Sequence, residues 1–540
     1  MTELLTAAQM RALEKAAIDS GAVTGLALME RAGQGVVEAV LAEWPDLKKG
    51  VHKAVVLCGP GNNGGDGFVI ARLLAGRGWT VEVYLYGDPE RLPPDARTNY
   101  DRWMTIGGVG PLDPRFEPST RNAAVVVDAL FGTGLGRPIE GLDLLLRDLC
   151  DAQGVGAGLP EAERPAFHPR VVAVDIPSGI CSDSGRPLCP ASFEGLPGKL
   201  AAPAAAADLT VSFHRLKAGH VLDEGPAYCG KVVVTDIGLG RTRRGSGRHA
   251  WLLDGSPGQP RVTPLGKRGG HKFNHGHALV LTGGFGKTGA ARLAARAALR
   301  IGAGLVTLGA PGAARMECAA QLTAIMLRRV EDAAGLAEAL EDRRLNALCL
   351  GPGLGLARAC DLVEVAVRAE RAPYVVLDAD ALSAFAAAPE DLFGMLHERC
   401  VLTPHGGEFE RLFPDLAKRL REEAMSGPAY SKIDATRAAA ARAGCVVLLK
   451  GPDTVIADPE GRCSVNAAVY DRSVPWLATA GAGDVLAGMI CGLMARGAAP
   501  MAAAEMAAWL HVEAARSYGP GLIAEDLPEE LPRVFRALGL

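Results

Sequence analysis

Ala54-Val-Val-Leu-Cys-Gly-Pro-Gly-Asn-Asn-Gly-Gly-Asp-Gly67 reads as an apolar strand over Ala54–Cys58, a glycine-rich loop, and the start of a helix near Gly67–Ala75. The strand is short and wholly apolar, as befits one buried on both faces of a sheet. A helix that follows such a strand can cross the sheet and bring in a parallel neighbour. The alternation continues in both directions. An amphipathic stretch, Met10 to Val40, precedes it, and strands fit Val81–Leu85, Ala124–Asp128 and Val171–Asp175. A second series begins at His277, with strands at Ala278–Leu281, Leu305–Leu308, Ala347–Leu350, Tyr374–Leu377 and Val446–Leu449 and helices between them. The fold class is α/β, with parallel sheets covered on both faces.

At 540 residues the chain is too long for one core, so two large domains are expected. We place them at 1–240 and 271–540. The stretch 241–270, rich in Gly, Arg and Pro, is read as the linker. Residues 151–170 and 190–207 read as surface insertions, the second with a low-complexity loop, Ala-Ala-Pro-Ala-Ala-Ala-Ala. The hydrophobic fraction of 49% with only 5% aromatics fits helices packed on parallel sheets. A net charge of −4 favours neither nucleic acid nor an anionic membrane as a partner. The twelve cysteines include no Cys-x-x-Cys pair and read as reduced core residues. Met-Thr-Glu-Leu-Leu is not a signal region, and no apolar run reaches membrane-span length. A cytoplasmic protein, assembled as a homo-oligomer, is expected.

In the N-terminal half, glycines at 59, 61 and 64 formally match Gly-x-Gly-x-x-Gly, but the next strand ends in Leu-Tyr-Gly, without the ribose-binding acid. There is no Gly-Lys-Ser/Thr for a Walker loop. The bare backbone and the helix start still suit a phosphate. Two more strand ends carry polar tips: Val127-Asp-Ala-Leu-Phe-Gly-Thr-Gly-Leu-Gly-Arg-Pro138 and Val174-Asp-Ile-Pro-Ser-Gly179. Strand carboxyl ends form the ligand crevice of such sheets, and these Asn, Asp and Ser oxygens could hold a hard cation beside a phosphate. Each aspartate alone also reads as a turn or helix cap.

In the C-terminal half, Thr479-Ala-Gly-Ala-Gly-Asp-Val-Leu-Ala-Gly488 delivers Asp484 onto the opening of an apolar helix. An acid beside an anion-binding helix start suits phosphoryl transfer; the alternative is a glycine turn with Asp484 as a simple cap. Other loops follow strands in the same way: Gly283-Gly-Phe-Gly-Lys-Thr-Gly-Ala290, Gly351-Pro-Gly-Leu-Gly355, Asp378-Ala-Asp-Ala-Leu382, Thr403-Pro-His-Gly-Gly-Glu-Phe409 and Lys450-Gly-Pro-Asp-Thr454. His271, His275 and His277 lack a carboxylate or Cys companion at zinc spacing and read as a polar entry loop.

On these motifs, residues 1–240 resemble the NAD(P)H-hydrate epimerase family, the YjeF N-terminal domain. The resemblance implies a Rossmann-like three-layer α/β/α domain, a bound K+, and interconversion of R and S hydrates of nicotinamide nucleotides. It implies that Asn62, Asn63, Gly64, Gly65 and Asp66, with Gly132, Thr133, Gly134, Leu135, Gly136, Arg137 and Pro138, line the substrate phosphates. Asn63, Asp128 and Ser178 would ligate K+, and Asp175 would contact the hydrated ring as the acid–base residue. From about His271 to Leu531 the chain resembles the ADP/ATP-dependent NAD(P)H-hydrate dehydratases, a ribokinase-like α/β branch. That implies hydrate contacts at Ala290, Gly353, His405 and Asp484, the last as catalytic base. Lys450, Gly451, Pro452, Asp453, Thr454 and Gly483 would hold ADP or ATP with Mg2+. A ribokinase-type vitamin or pyrimidine kinase with a non-catalytic N-terminal interaction domain is the alternative.

Overall fold

A computed structural model describes residues 1–152, 169–189, 204–240, 249–255, 265–267 and 269–540. They form two compact units, and the division is not a simple cut. One unit holds Glu3–Gly247 together with Glu422–Ser431. The other holds Met1–Thr2, Arg248–Arg421 and Lys432–Leu540.

The first unit is built on a parallel sheet of β1 (Lys53–Cys58), β2 (Thr80–Leu85), β3 (Val109–Pro111), β4 (Val125–Ala129), β5 (Arg170–Val174), β6 (Leu209–Phe213) and β7 (Lys231–Thr235). Across the sheet they run β3-β2-β1-β4-β5-β6-β7, every neighbour parallel. Strand residues alternate between two cores. Ala54, Val56 and Cys58 pack with Val36, Val37, Phe68 and Ile70, while Val55 and Leu57 pack on the other side with Leu142, Leu145 and Leu146. That alternation produces the three layers. Strand order reverses between β1 and β4, the position at which such sheets open a ligand crevice.

The amphipathic start resolves into two helices, Ala7–Asp19 and Gly25–Glu43, each opened by a threonine whose hydroxyl accepts a first-turn N–H. The helix after β1 begins at Asn62, five residues before the expected Gly67, so the Asn-Asn-Gly-Gly-Asp run is its first turn rather than a loop. Much of the two expected insertions lies outside the described residues. Ala204–Ala207, however, are buried, which corrects their reading as a surface loop. Ala205 N–H donates to Ser178 O and Ala207 N–H to Tyr228 O. Methyl side chains let this segment lie directly under the sheet.

The second unit contains β8 (Ala250–Leu252), β9 (His277–Leu281), β10 (Leu305–Ala310), β11 (Met326–Arg329), β12 (Ala347–Leu350), β13 (Tyr374–Leu377), β14 (Cys400–Leu402), β15 (Val446–Leu449), β16 (Asp453–Ala457) and β17 (Cys463–Ala467). Their order is β8-β17-β16-β15-β14-β13-β12-β9-β10-β11. The run from β15 to β11 is parallel, and β15-β16-β17 is antiparallel. Strand β8 falls within the stretch read as linker. Helix Ala482–Ala495 is buried on all sides rather than on one face. A Cβ on Gly488 would meet Ala294 O at 2.0 Å, and one on Gly492 would meet Ala298 O at 2.6 Å. These glycines let the helix lie backbone to backbone on Gly289–Arg300, so the first turns that carry Asp484 and Ala290 belong to two tightly packed helices.

All twelve cysteines are free, ten of them buried. Among the described residues no helix is long and apolar enough to cross a membrane, and no group of three or more His, Cys, Asp or Glu could hold a metal ion.

Candidate active sites

In the first unit, the ends of β1, β4 and β5 bring together the Asn62 helix start, the loop after Asp128, and Asp175. Gly132 is the meeting point: a Cβ there would lie 2.8 Å from Asn63 Oδ1 and 3.6 Å from Asp175 Cβ. Asp128 is fully buried. Its carboxylate accepts from Ser178 N–H at 2.8 Å, Ser178 Oγ at 2.6 Å and Leu130 N–H at 3.2 Å. Burial pushes its pKa up against these bonds. Ser178 Oγ lies 3.2 Å from Phe131 O, so carboxylate, hydroxyl and carbonyl oxygens converge. Asn63 Nδ2 is buried without a hydrogen-bond partner. Of the residues expected to hold a cation, Asp128 and Ser178 are bonded directly and only to neutral donors in these contacts, while Asn63 Oδ1 borders Gly132.

Asp175 has a φ of +68°, a left-handed backbone rare outside glycine. His220 explains how it is kept there. Its Nδ1 accepts Lys217 N–H at 3.0 Å, which leaves Nε2–H to donate to Asp175 O at 2.8 Å. Burial, with the Lys217 charge, lowers the His220 pKa to about 4, so the ring is neutral and this tautomer persists. Lys217 is fully buried, and its ammonium donates to Asp175 Oδ1 at 2.7 Å, Ser212 Oγ at 2.9 Å and Phe213 O at 3.0 Å. Burial alone would raise the Asp175 pKa, but the Lys217 charge and hydrogen bond outweigh it and hold it below the usual carboxylate range. Asp66 goes the other way: burial, then the charges of Asp175 and Glu14, push it well up. Burial and neighbouring charges thus push the two carboxyls in opposite directions. Lys217 and the run Ala207–Phe213, which contains Ser212, belong to the stretch that carries the resemblance but were given no site role, and His220 was not singled out. A lysine just past a strand end carries no spacing rule, and its role appears only when β5 and β6 pair.

In the second unit, the N-cap of the Asp484 helix is Gly481, at φ +90° and without a side-chain cap bond, so the simple-cap reading of Asp484 falls away. The helix opens at Ala482, whose N–H donates to Thr479 O at 3.4 Å, while Val485 N–H closes the first turn on Gly481 O at 3.1 Å. Lys450 Nζ donates to Asp378 Oδ1 at 2.7 Å and lies 3.8 Å from Glu408 Oε2. A Cβ on Gly483 would be 3.4 Å from that ammonium. Burial, then the Asp378 charge, raises the Asp484 pKa to about 6 despite Lys450. Burial would lower the Lys450 pKa, but Asp378 and Glu408 outweigh it and keep it charged.

Ala290 and Gly353 come together, a Gly353 Cβ lying 3.9 Å from that of Ala290. His405 heads helix Gly406–Leu412: its Nδ1 accepts Gly407 N–H at 3.0 Å, and its own N–H donates to Glu408 Oε2 at 2.8 Å. Its ring is exposed, with Nε2 3.4 Å from Glu408 Oε1. A cavity of about 450 Å³ joins Lys450, Gly451, Pro452, Thr454 and Gly483 to Val474, Pro475, Leu477, Ala478, His511 and Val512. Asp453 instead pairs with Lys432 Nζ at 2.6 Å. The apolar wall was illegible in sequence, because it is assembled from separate segments with no shared motif. Asp378 and Glu408 stood in quoted motifs but were not assigned to the site.

The YjeF-related protein N-terminus family model matches residues 25–219, and the NAD(P)H-hydrate dehydratase model matches 278–533. A bifunctional NAD(P)H-hydrate repair enzyme of Moorella thermoacetica is 35% identical, over 99% of this chain and 97% of its own. An NAD(P)H-hydrate epimerase of Roseobacter litoralis is 47% identical, over 44% of this chain and the whole of its own. A Bacillus subtilis ADP/ATP-dependent NAD(P)H-hydrate dehydratase, co-crystallised with ATP and Mg2+, is 28% identical, over 50% of this chain and 93% of its own, with a TM-score of 0.41. At 35% identity across nearly the full length of both chains, the protein belongs to the family of bifunctional NAD(P)H-hydrate repair enzymes.

Proposed function

We propose that the chain repairs hydrated NADH and NADPH with two activities, an isomerase that interconverts the R and S hydrates and a lyase that dehydrates the S form using ADP or ATP. The observation that carries this reading is the end-to-end match to a bifunctional repair enzyme, which spans both constellations of acids. A kinase with an inert N-terminal domain would not need the ordered Asp175 network. We assign epimerisation to the N-terminal segment, about 1–240, and dehydration to the C-terminal segment, about 271–540.

In the epimerase, the first turn at Asn62–Asp66 and the loop Gly132–Pro138 bind the substrate phosphates through backbone N–H groups. Asp175, ionised beside Lys217, accepts a proton from water or hydroxyl at the hydrated ring carbon. Asp66, whose pKa burial and the Asp175 charge push up, is our candidate to give one to the departing oxygen. Asn63 Oδ1, Asp128, Phe131 O and Ser178 would hold K+, and the buried Asp128 carboxylate, bonded to the Ser178 hydroxyl beside Phe131 O, fits it. A monovalent cation there would supply positive charge to the phosphate loop. Ser178→Ala is expected to raise the K+ concentration for half-maximal epimerisation about tenfold or more, since even outer-shell partners of a metal contribute that much. A K+ titration against choline checks this.

In the dehydratase, the apolar cavity takes the adenine and ribose, and Lys450 with the N–H groups of Gly451 and Gly483 takes the phosphates. Mg2+ bound with the nucleotide would neutralise those phosphates. Asp484 removes the hydroxyl proton as that oxygen attacks the terminal phosphorus, whose P–O bond breaks to release AMP from ADP or ADP from ATP. The ring C–O bond then breaks with its electron pair going to the departing phosphate, the adjacent ring carbon gives a proton to that phosphate or to water, and the C–H electron pair becomes the ring double bond. Asp484 must be ionised to act, so kcat/KM for dehydration is expected to fall below about pH 6, roughly tenfold per pH unit. A pH–rate profile with S hydrate checks this, and a limb near pH 4 would contradict it.

A further inference from the structure

Ten residues of the C-terminal half, Glu422–Ser431, group with the N-terminal unit rather than with the sequence on either side of them. Their contacts fall on the epimerase phosphate loop and its border. Gly427 N–H donates to Gly136 O at 3.0 Å, and Cys189 N–H donates to Ala424 O at 3.1 Å. Ala429 N–H approaches Cys181 Sγ at 3.3 Å. Arg186 donates to Tyr430 O and to Glu422 O. Ala424 and Ala429 are buried in a small cluster with Cys181 and Leu188, and Leu135 packs against it. Gly427 is required for the fit: a Cβ there would stand 2.6 Å from Leu135 O and 3.4 Å from Gly136 Cα.

Leu135 and Gly136 lie in the middle of Gly132–Pro138. Within that loop the backbone makes a bond of its own, Leu135 N–H to Gly132 O at 3.1 Å. Glycine-rich backbone has many accessible conformations, and N–H groups bind phosphate well only if already aimed. A strap hydrogen-bonded to Gly136 and packed on Leu135 supplies that order from outside the loop.

We infer that residues 422–431 position the epimerase phosphate loop, so that in this chain R/S epimerisation depends on a segment encoded within its dehydratase half. The inference rests on the proposed reading of Gly132–Pro138 as a phosphate loop. Gly427 is a positioning residue, since it acts through Gly136 and reaches no substrate.

The test uses the full-length protein in two forms, Gly427→Ala and a variant with residues 424–429 replaced by a Gly/Ser run of equal length. R-hydrate epimerisation and S-hydrate dehydration are measured separately. The expected result is an epimerase KM raised about tenfold, the equivalent of one charge-assisted hydrogen bond to phosphate. The epimerase kcat should stay within about twofold of wild type, and dehydration should be unchanged. An unchanged KM in the Gly/Ser variant overturns the inference and leaves the functional reading intact. A parallel fall in both activities also overturns it, because the strap would then act on folding alone. If the wild-type protein does not epimerise, the inference and the functional reading fail together.

Discussion

Asp484→Asn is expected to lower the dehydratase kcat about 10³-fold while leaving epimerisation at the wild-type rate, the loss typical of a removed general base. The substitution keeps the side chain's shape beside Gly483 and Lys450 but takes away its proton affinity and charge. Loss of folding cannot mimic the result. The folded pKa of Asp484, about 6, is above its ordinary value of 3.8, because burial and Asp378 disfavour the ionised form. Ionising it therefore costs stability as pH rises from about 4 through about 6. Asparagine lacks that cost, so the variant should melt at or above the wild-type temperature at pH 8. Steady-state kinetics with S hydrate, paired with a thermal melt, separates the two effects. Dehydration above one-tenth of the wild-type rate would remove Asp484 from the chemistry.

Asp175→Asn is expected to lower epimerisation by roughly 10²- to 10⁴-fold and to spare dehydration of S hydrate. This variant does carry a folding cost. Lys217 is fully buried and its ammonium would keep only neutral acceptors, Ser212 Oγ, Phe213 O and the amide oxygen of the new asparagine. Breaking one side of a buried ion pair costs about 3–5 kcal/mol. The folded pKa of Asp175 is depressed, so its contribution is present above the ordinary carboxylate pKa and is lost as pH falls through the lower folded value. Adding Lys217→Met to Asp175→Asn removes both charges. The double variant should recover much of the melting temperature and none of the epimerisation. Recovery of activity along with stability would mean that Asp175 is a structural anchor, not the acid–base residue.

Much of the fold was legible because buried parallel strands leave a plain signature. Ala347–Leu350, Tyr374–Leu377 and Val446–Leu449 have the bounds read from their apolar runs. Glycine-rich stretches misled where a helix could begin within them, as at Asn62. Ala204–Ala207 misled because small apolar residues look the same in a loop and in a close-packed core. Motif residues at strand ends were readable because local sequence carries them: Asp128 bonds Ser178, and Asn63 and Asp175 both border Gly132. The roles of Lys217 and His220 and the apolar wall of the cavity were not, since their meaning depends on which strands pair and which distant segments converge. The strap at Glu422–Ser431 was invisible for the same reason, as nothing in its composition says which unit it joins.

The most direct test of the central claim is a single progress curve. The full-length protein is incubated with an equilibrium mixture of R and S NADH hydrates and excess ADP or ATP with Mg2+ and K+, and reduced nicotinamide is followed by absorbance. Rapid recovery of the whole hydrate pool as NADH, with one phosphate released per molecule, is the predicted result. Accumulation of a stable phosphorylated product, or fast recovery of the S fraction alone with the R fraction converting only at its spontaneous rate, would contradict it.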